Sequence, residues 1–237
     1  LVIDPAGAEP APYDREHVIV LSDYSFMHPH KMMQKLKQQA GYFNRRKQTV
    51  AGLLTGKDQP LKDRIEWAGM RMDPTDISDV TGSTYHFLMN GHGPADNWTG
   101  LFRPGERVRL RFVNAGAMTI FNVRIPGLKL TVVQADGQDV RPVEVDEFQI
   151  GTAETYDFVV EPAGEAMTIV AEAMDRSGMA VATLASRPGA RAGVPALRDP
   201  PLLTMADMGM DHSAMGTGSE PSSMDHSGMD HSNGDDM

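Results

Sequence analysis

No cysteine occurs in the 237 residues, which removes disulfides, thiolate metal sites and cysteine nucleophiles together. No stretch approaches the ~20 apolar residues that a membrane-spanning helix requires, and no signal peptide is visible. A glycine-rich phosphate loop, a Gly-X-Ser-X-Gly elbow and a His-Glu-X-X-His pair are all missing, so the sequence carries none of these motifs for nucleotide, serine-hydrolase or zinc-protease chemistry. Excess positive charge is missing too. The formal charge is −10, which argues against binding a phosphate backbone, where clustered cations must displace counterions. Lysine and arginine vanish altogether from residues 205–237, which hold seven Asp/Glu; the tail therefore carries −7 and the body −3.

The length suits one sandwich of ordinary size with additions, or two small domains. The chain starts at Leu1, and Leu1-Val2-Ile3-Asp4-Pro5 reads like the end of a strand begun elsewhere, so a fragment or processed chain is expected. Residues 1–12 are rich in Pro, Ala and Gly without periodicity and read as a linker. His17 to Leu21 is a short apolar run suited to a buried strand. Met32/Met33, Leu36, Ala40 and Phe43 recur at intervals of three and four, which predicts a helix over 31–47. A second helix is expected over about 61–72, stopped by Asp73-Pro74. The cations Lys31, Lys35, Lys37, Arg45, Arg46 and Lys47 make this region basic, as a solvated face or as a dock for an acidic neighbour, the chain's own tail included.

After residue 83 the chain reads as short strands and turns. In Arg107 to Phe112 arginines alternate with apolar residues, so Val108, Leu110 and Phe112 are predicted to face a core and the arginines water. Pro104-Gly105 fits a type II turn and Asp136-Gly137 a hairpin turn. Further strands are expected at 119–125, 129–135, 143–150, 155–161, 167–173 and 179–184. Spacing of about ten residues suggests a Greek-key sandwich over 13–185. Order is expected to fade from Ser186, with a Pro/Gly/Ala/Arg linker over 186–204 and a disordered Met-rich tail over 205–237.

The tail carries the chemistry. Met-Asp-His-Ser occurs three times, at 210–213, 224–227 and 229–232, within a segment of seven methionines. Thioethers are soft neutral donors suited to Cu(I), and the adjacent imidazoles and carboxylates also hold Cu(II). The candidate copper ligands are Met205, Met208, Met210, His212, Met215, Met224, His226, Met229 and His231. Methionine is otherwise a flexible core filler, the reading adopted for Met32, Met33, Met89, Met118 and Met167; a segment as polar as this tail has no core to fill. His28-Pro29-His30 has a His-X-His form, but proline at a polar helix entry reads as loop histidines instead, and His17, His86 and His92 read as structural or surface residues.

The sequence also resembles a known family, the copper-resistance multicopper oxidases of CopA/PcoA type, at the second of three cupredoxin-like domains. The resemblance rests on Tyr13-Asp14-Arg15-Glu16, Leu88-Met89-Asn90-Gly91, Asn97 to Glu106 and Val108 to Asn114, then on Arg124 to Leu128, Ala135 to Gln138, Glu154 to Asp157 and Met174 to Gly178, and on Leu203 to Met210 at the start of the tail. It covers nearly the whole chain, and the helical insertion at about 31–72 belongs to the same likeness. Membership implies a periplasmic parent enzyme that oxidises Cu(I) or another reduced substrate with dioxygen as acceptor. Its catalytic coppers, held by cysteine, methionine and His-X-His pairs, are expected only in the first and third domains. The resemblance therefore implies copper ions and neighbouring cupredoxin domains as partners, no membrane span, and no oxidase activity of this chain alone. The alternatives are a free-standing periplasmic copper-sequestering protein and part of a laccase-like phenol oxidase.

Overall fold

The computed structural model describes residue 7 and residues 9–207. Ile19 and Leu21 are buried on strand β1 (Arg15–Tyr24) while Val18 and Tyr24 meet solvent, a period of two that turns one face inward. The strand runs parallel to β4 (Val108–Asn114) and antiparallel to β2 (His86–Met89). Beyond β4 the same sheet continues through β9 (Thr155–Val160), β6 (Leu130–Ala135) and β7 (Gln138–Val145), giving the order β2-β1-β4-β9-β6-β7. A second sheet has the order β3-β11-β10-β5-β8, from β3 (Trp98–Leu101), β5 (Phe121–Arg124), β8 (Glu147–Ile150), β10 (Ala166–Ala173) and β11 (Met179–Ala185).

The two sheets close on a single core. Leu21, Leu110, Phe112 and Phe158 come from the first sheet, and Phe121, Val123, Ile169 and Leu184 from the second. The Phe148 ring lies 4.2 Å from that of Phe158, tilted by 36°, and meets Phe112 edge-on at 5.2 Å, so the aromatic centre is shared between layers. Gly105 has φ +86° in a turn closed by the Glu106 N–H donating to the Arg103 carbonyl, as Pro104-Gly105 predicts. Asp136 and Gly137 have φ +47° and +75° and join β6 to β7, the left-handed pair that a two-residue hairpin demands. The expected strand at 143–150 is two strands, broken at Asp146.

The insertion is helical but shorter in its parts than the periodicity predicts. Helix α1 spans Pro29–Gln38, not 31–47: His28 caps it, Pro29 fills the first turn, and the chain turns extended at Gln39. Phe43 still joins Met32 and Val80 in a small second core, reaching it from outside the helix. Helix α2 (Val50–Thr55), capped by Thr49 and ended by left-handed Gly56, lies where no helix is predicted. Helix α3 (Leu61–Gly69) ends three residues before 72, since Arg71 takes a left-handed conformation.

Two expectations are corrected by what covers the sheets. Arg109 and Arg111 do not face water: they are 1% and 8% exposed. Asp157 on β9 accepts from both guanidiniums, at 2.7 and 2.8 Å. Glu9 meets Arg109 at 2.8 Å, Glu16 accepts from Arg111 at 2.8 Å, and the Tyr13 ring covers Arg109 at 5.3 Å. The segment 187–203 has no regular secondary structure, as a linker should, yet it is laid down as a strap. Arg191 donates to the carbonyls of Asp96 and Asn97, Ala190 is buried, and the Thr168 hydroxyl donates to the Gly193 carbonyl. At its end Arg46 donates to the Pro201 carbonyl, and Leu203 accepts from the Gln59 amide and donates to the Pro74 carbonyl. The strap therefore runs from the second sheet to the insertion.

Candidate functional site

Of the nine candidate copper ligands only Met205 is among the described residues; Met208, Met210, His212, Met215, Met224, His226, Met229 and His231 lie outside them. Met205 is half-buried at the opening of a capped turn. The Thr204 N–H and hydroxyl donate to one oxygen of Asp207 at 2.7 and 2.8 Å, and the Asp207 N–H returns a bond to that hydroxyl at 3.4 Å. Those two donors, the backbone N–H foremost, hold the Asp207 carboxyl below its usual range.

Histidines outside the tail make local contacts. His28 accepts from the His30 N–H at 3.2 Å, and the two rings stack at 5.2 Å beside the start of α1, a cap and not a strand pair. His17 meets the Leu101 carbonyl at 2.9 Å and packs edge-on against Trp98. His86 packs edge-on against the exposed ring of Phe26. Among the described residues no group of three or more His, Asp or Glu side chains is placed to hold a metal ion.

Charged clusters that the sequence gives little warning of sit on the outer faces of the sheets. Glu172 on β10 is fully buried and meets Arg124 at 2.8 Å, Arg198 of the strap at 2.5 Å and Arg176 at 3.7 Å. Glu147 adds a second carboxylate to Arg198 at 2.8 Å. Burial pushes the Glu172 carboxyl up, but hydrogen bonds and charge from Arg124 and Arg198 outweigh it and hold the group below its ordinary value. A carboxylate so locked is a poor proton shuttle and a good clamp. The arginines of β4 and the acids of β9 and β10 were visible in the sequence, but nothing in it paired residues 26 to 48 positions apart.

A cleft of about 440 Å³ opens beside β2, walled by Tyr24, Phe26, Tyr85, His86, Phe87 and Met179. Among the described residues no carboxylate, ammonium or guanidinium lines it. Burial, followed by the charge of Asp23, pushes the Tyr85 hydroxyl above its ordinary range.

Residues 15–188 match the family described as multicopper oxidase. The chain is 55% identical over 240 residues to copper resistance protein A of Escherichia coli, covering 98% of this chain and 39% of that protein. It is 52% identical to copper resistance protein A of Pseudomonas syringae pv. tomato, over 91% of this chain and 37% of the relative. The chain thus spans about two-fifths of the length of these relatives. The fold is similar to that of Fet3p, a multicopper oxidase that functions in iron import, with a TM-score of 0.53 at 18% identity over 80% of this chain and 31% of that one. A laccase from Botrytis aclada gives a TM-score of 0.50 at 19% identity over 82% of this chain and 33% of that one.

Proposed function

The chain belongs to the multicopper oxidase family, and from that premise we propose that it is a copper-handling, non-catalytic part of a longer periplasmic copper-resistance oxidase. In this reading the sandwich spaces and clamps neighbouring cupredoxin domains, while residues 205–237 capture copper as Cu(I) and deliver it for oxidation with dioxygen as acceptor. The observation that carries it is the threefold Met-Asp-His-Ser repeat in a segment without a single cation. Thioether sulfur binds the reduced ion, and imidazole and carboxylate keep hold of it once oxidised. A mononuclear blue-copper centre requires a cysteine thiolate, which this chain does not have, so the reading assigns the oxidising centres to other parts of the enzyme.

Anaerobic Cu(I) titration against a competing chelator tests the proposal. The full chain is compared with a variant in which Met205, Met208, Met210, Met215, Met224 and Met229 are all replaced by leucine. Loss of most bound Cu(I) in the variant supports a soft-metal capture segment. Equal binding by the two proteins would refute the tail assignment while leaving the family untouched.

A further inference from the structure

Sulfur is unevenly shared between the two cores. Among the described residues the large core takes two methionines, Met89 and Met167, in twenty-nine side chains, whereas the small core takes three, Met27, Met32 and Met118, in seven. A need for flexible filler gives no reason for that concentration, and only one of the three fills an interior: Met32 is buried, while Met27 and Met118 are half-buried. Two of them come from the entry to α1 and the third from the loop between β4 and β5, so insertion and sandwich meet over thioethers. Their backbones are fixed. The Met27 N–H donates to the Ser25 hydroxyl at 3.0 Å, and the N–H groups of Ala117, Met118 and Thr119 and the Thr119 hydroxyl donate to the Asp23 carboxylate at 2.7–3.2 Å.

Three thioethers in one cluster have a definite chemical preference. Thioether sulfur is a soft, neutral donor that selects Cu(I), and the apolar side chains of Leu36, Phe43 and Val80 packed with it disfavour hydrated hard cations. Compensating charge is at hand, because Asp23 holds the Met118 backbone and its charge reaches Tyr85. A way in from solvent exists as well: Tyr85 packs against the small core and also walls the cleft of about 440 Å³, which His86 and Met179 line too.

We propose that Met27, Met32 and Met118 form a Cu(I)-binding site in the seam between insertion and sandwich. It rests on the copper-handling reading of the chain, and places a thioether site on the folded body in addition to the one proposed for the tail. The test is anaerobic Cu(I) titration of the tail-substituted variant of the full chain, labelled with carbon-13 at its methionine methyl groups. The Met27, Met32 and Met118 methyl signals are expected to shift together and to saturate at about one equivalent of Cu(I), while those of Met89 and Met167 stay in place. Adding Met27→Leu, Met32→Leu and Met118→Leu should weaken Cu(I) binding about tenfold or more against a competing chelator. Leucine nearly conserves the volume, and an unchanged thermal transition verifies that the variant is folded. Should it fail to fold, Met118→Leu alone, at a half-buried position, should weaken binding in the same direction. Signals of the three methionines that do not move, or substituted chains that bind Cu(I) as tightly as before, would overturn the proposal. Either result leaves the tail assignment standing, since that is tested by the difference between the full chain and its tail-substituted variant.

Discussion

Replacing Glu172 by glutamine removes one negative charge from a group of three guanidiniums. Glu172 is fully buried, and its carboxylate contacts Arg124, Arg198 and Arg176. Breaking a buried ion pair by deleting one partner costs ~3–5 kcal/mol, because the remaining charge is left uncompensated. Glutamine keeps one accepting oxygen and Glu147 still reaches Arg198, so the lower end, about 3 kcal/mol, is expected. For a domain of this size that lowers Tm by about 6–12 °C. Urea and thermal unfolding followed by circular dichroism at pH 7 measure it, and hydrogen exchange should show faster opening of amides in 187–203. The folded carboxyl lies below its ordinary value, so its stabilisation is present above the unfolded pKa and is lost as pH falls through the folded one. The gap between parent and Glu172→Gln should accordingly narrow below about pH 4. A difference under ~1 kcal/mol at pH 7, the range of exposed ion pairs, or a gap that does not change with pH, would refute the reasoning.

Glu106 is held down to about 2, first by its hydrogen bond from Arg15 and then by the Arg103 N–H. Its contribution is present above its ordinary value of 4.5 and lost as pH falls towards 2, so Glu106→Gln should show a shallower fall of Tm over that interval than the parent. Gly82 has no room for a side chain: an added Cβ would lie 2.4 Å from the Ser177 carbonyl oxygen. Gly82→Ala should destabilise by ~1–3 kcal/mol in a urea melt, and an unchanged midpoint would mean that these loops stand further apart in solution.

The apolar half of the fold was legible because period and turn chemistry are local. Alternation alone puts Val108, Leu110 and Phe112 inside, and the backbone angles that turns require put Gly105 and Asp136-Gly137 at the turns. The polar half was not, because alternation says which side of a strand is polar and not what lies over it. Arg109 and Arg111 are covered by Glu9, Tyr13, Glu16 and Asp157, and these partners come together only when the sheet has formed. Periodicity makes helix α1 too long because Phe43 keeps the apolar rhythm, although it reaches the same small core from a turn. At six residues α2 is too short for periodicity to register. The repeat of the tail is a sequence property, and the copper chemistry proposed for it rests on composition alone.

The strap has a kinetic meaning. Its hydrogen bonds join it to three separately built surfaces: the β3 approach at Asp96 and Asn97, strand β10 at Thr168 and Glu172, and the insertion at Gln59 and Pro74. It can seat only once those surfaces exist, so its contacts are expected to form late, after the folding barrier. Interactions absent from a transition state leave the folding rate alone and slow the reverse reaction. Arg191→Ala and Arg198→Ala are therefore expected to shorten the lifetime of the folded molecule in stopped-flow unfolding and to leave its folding rate unchanged.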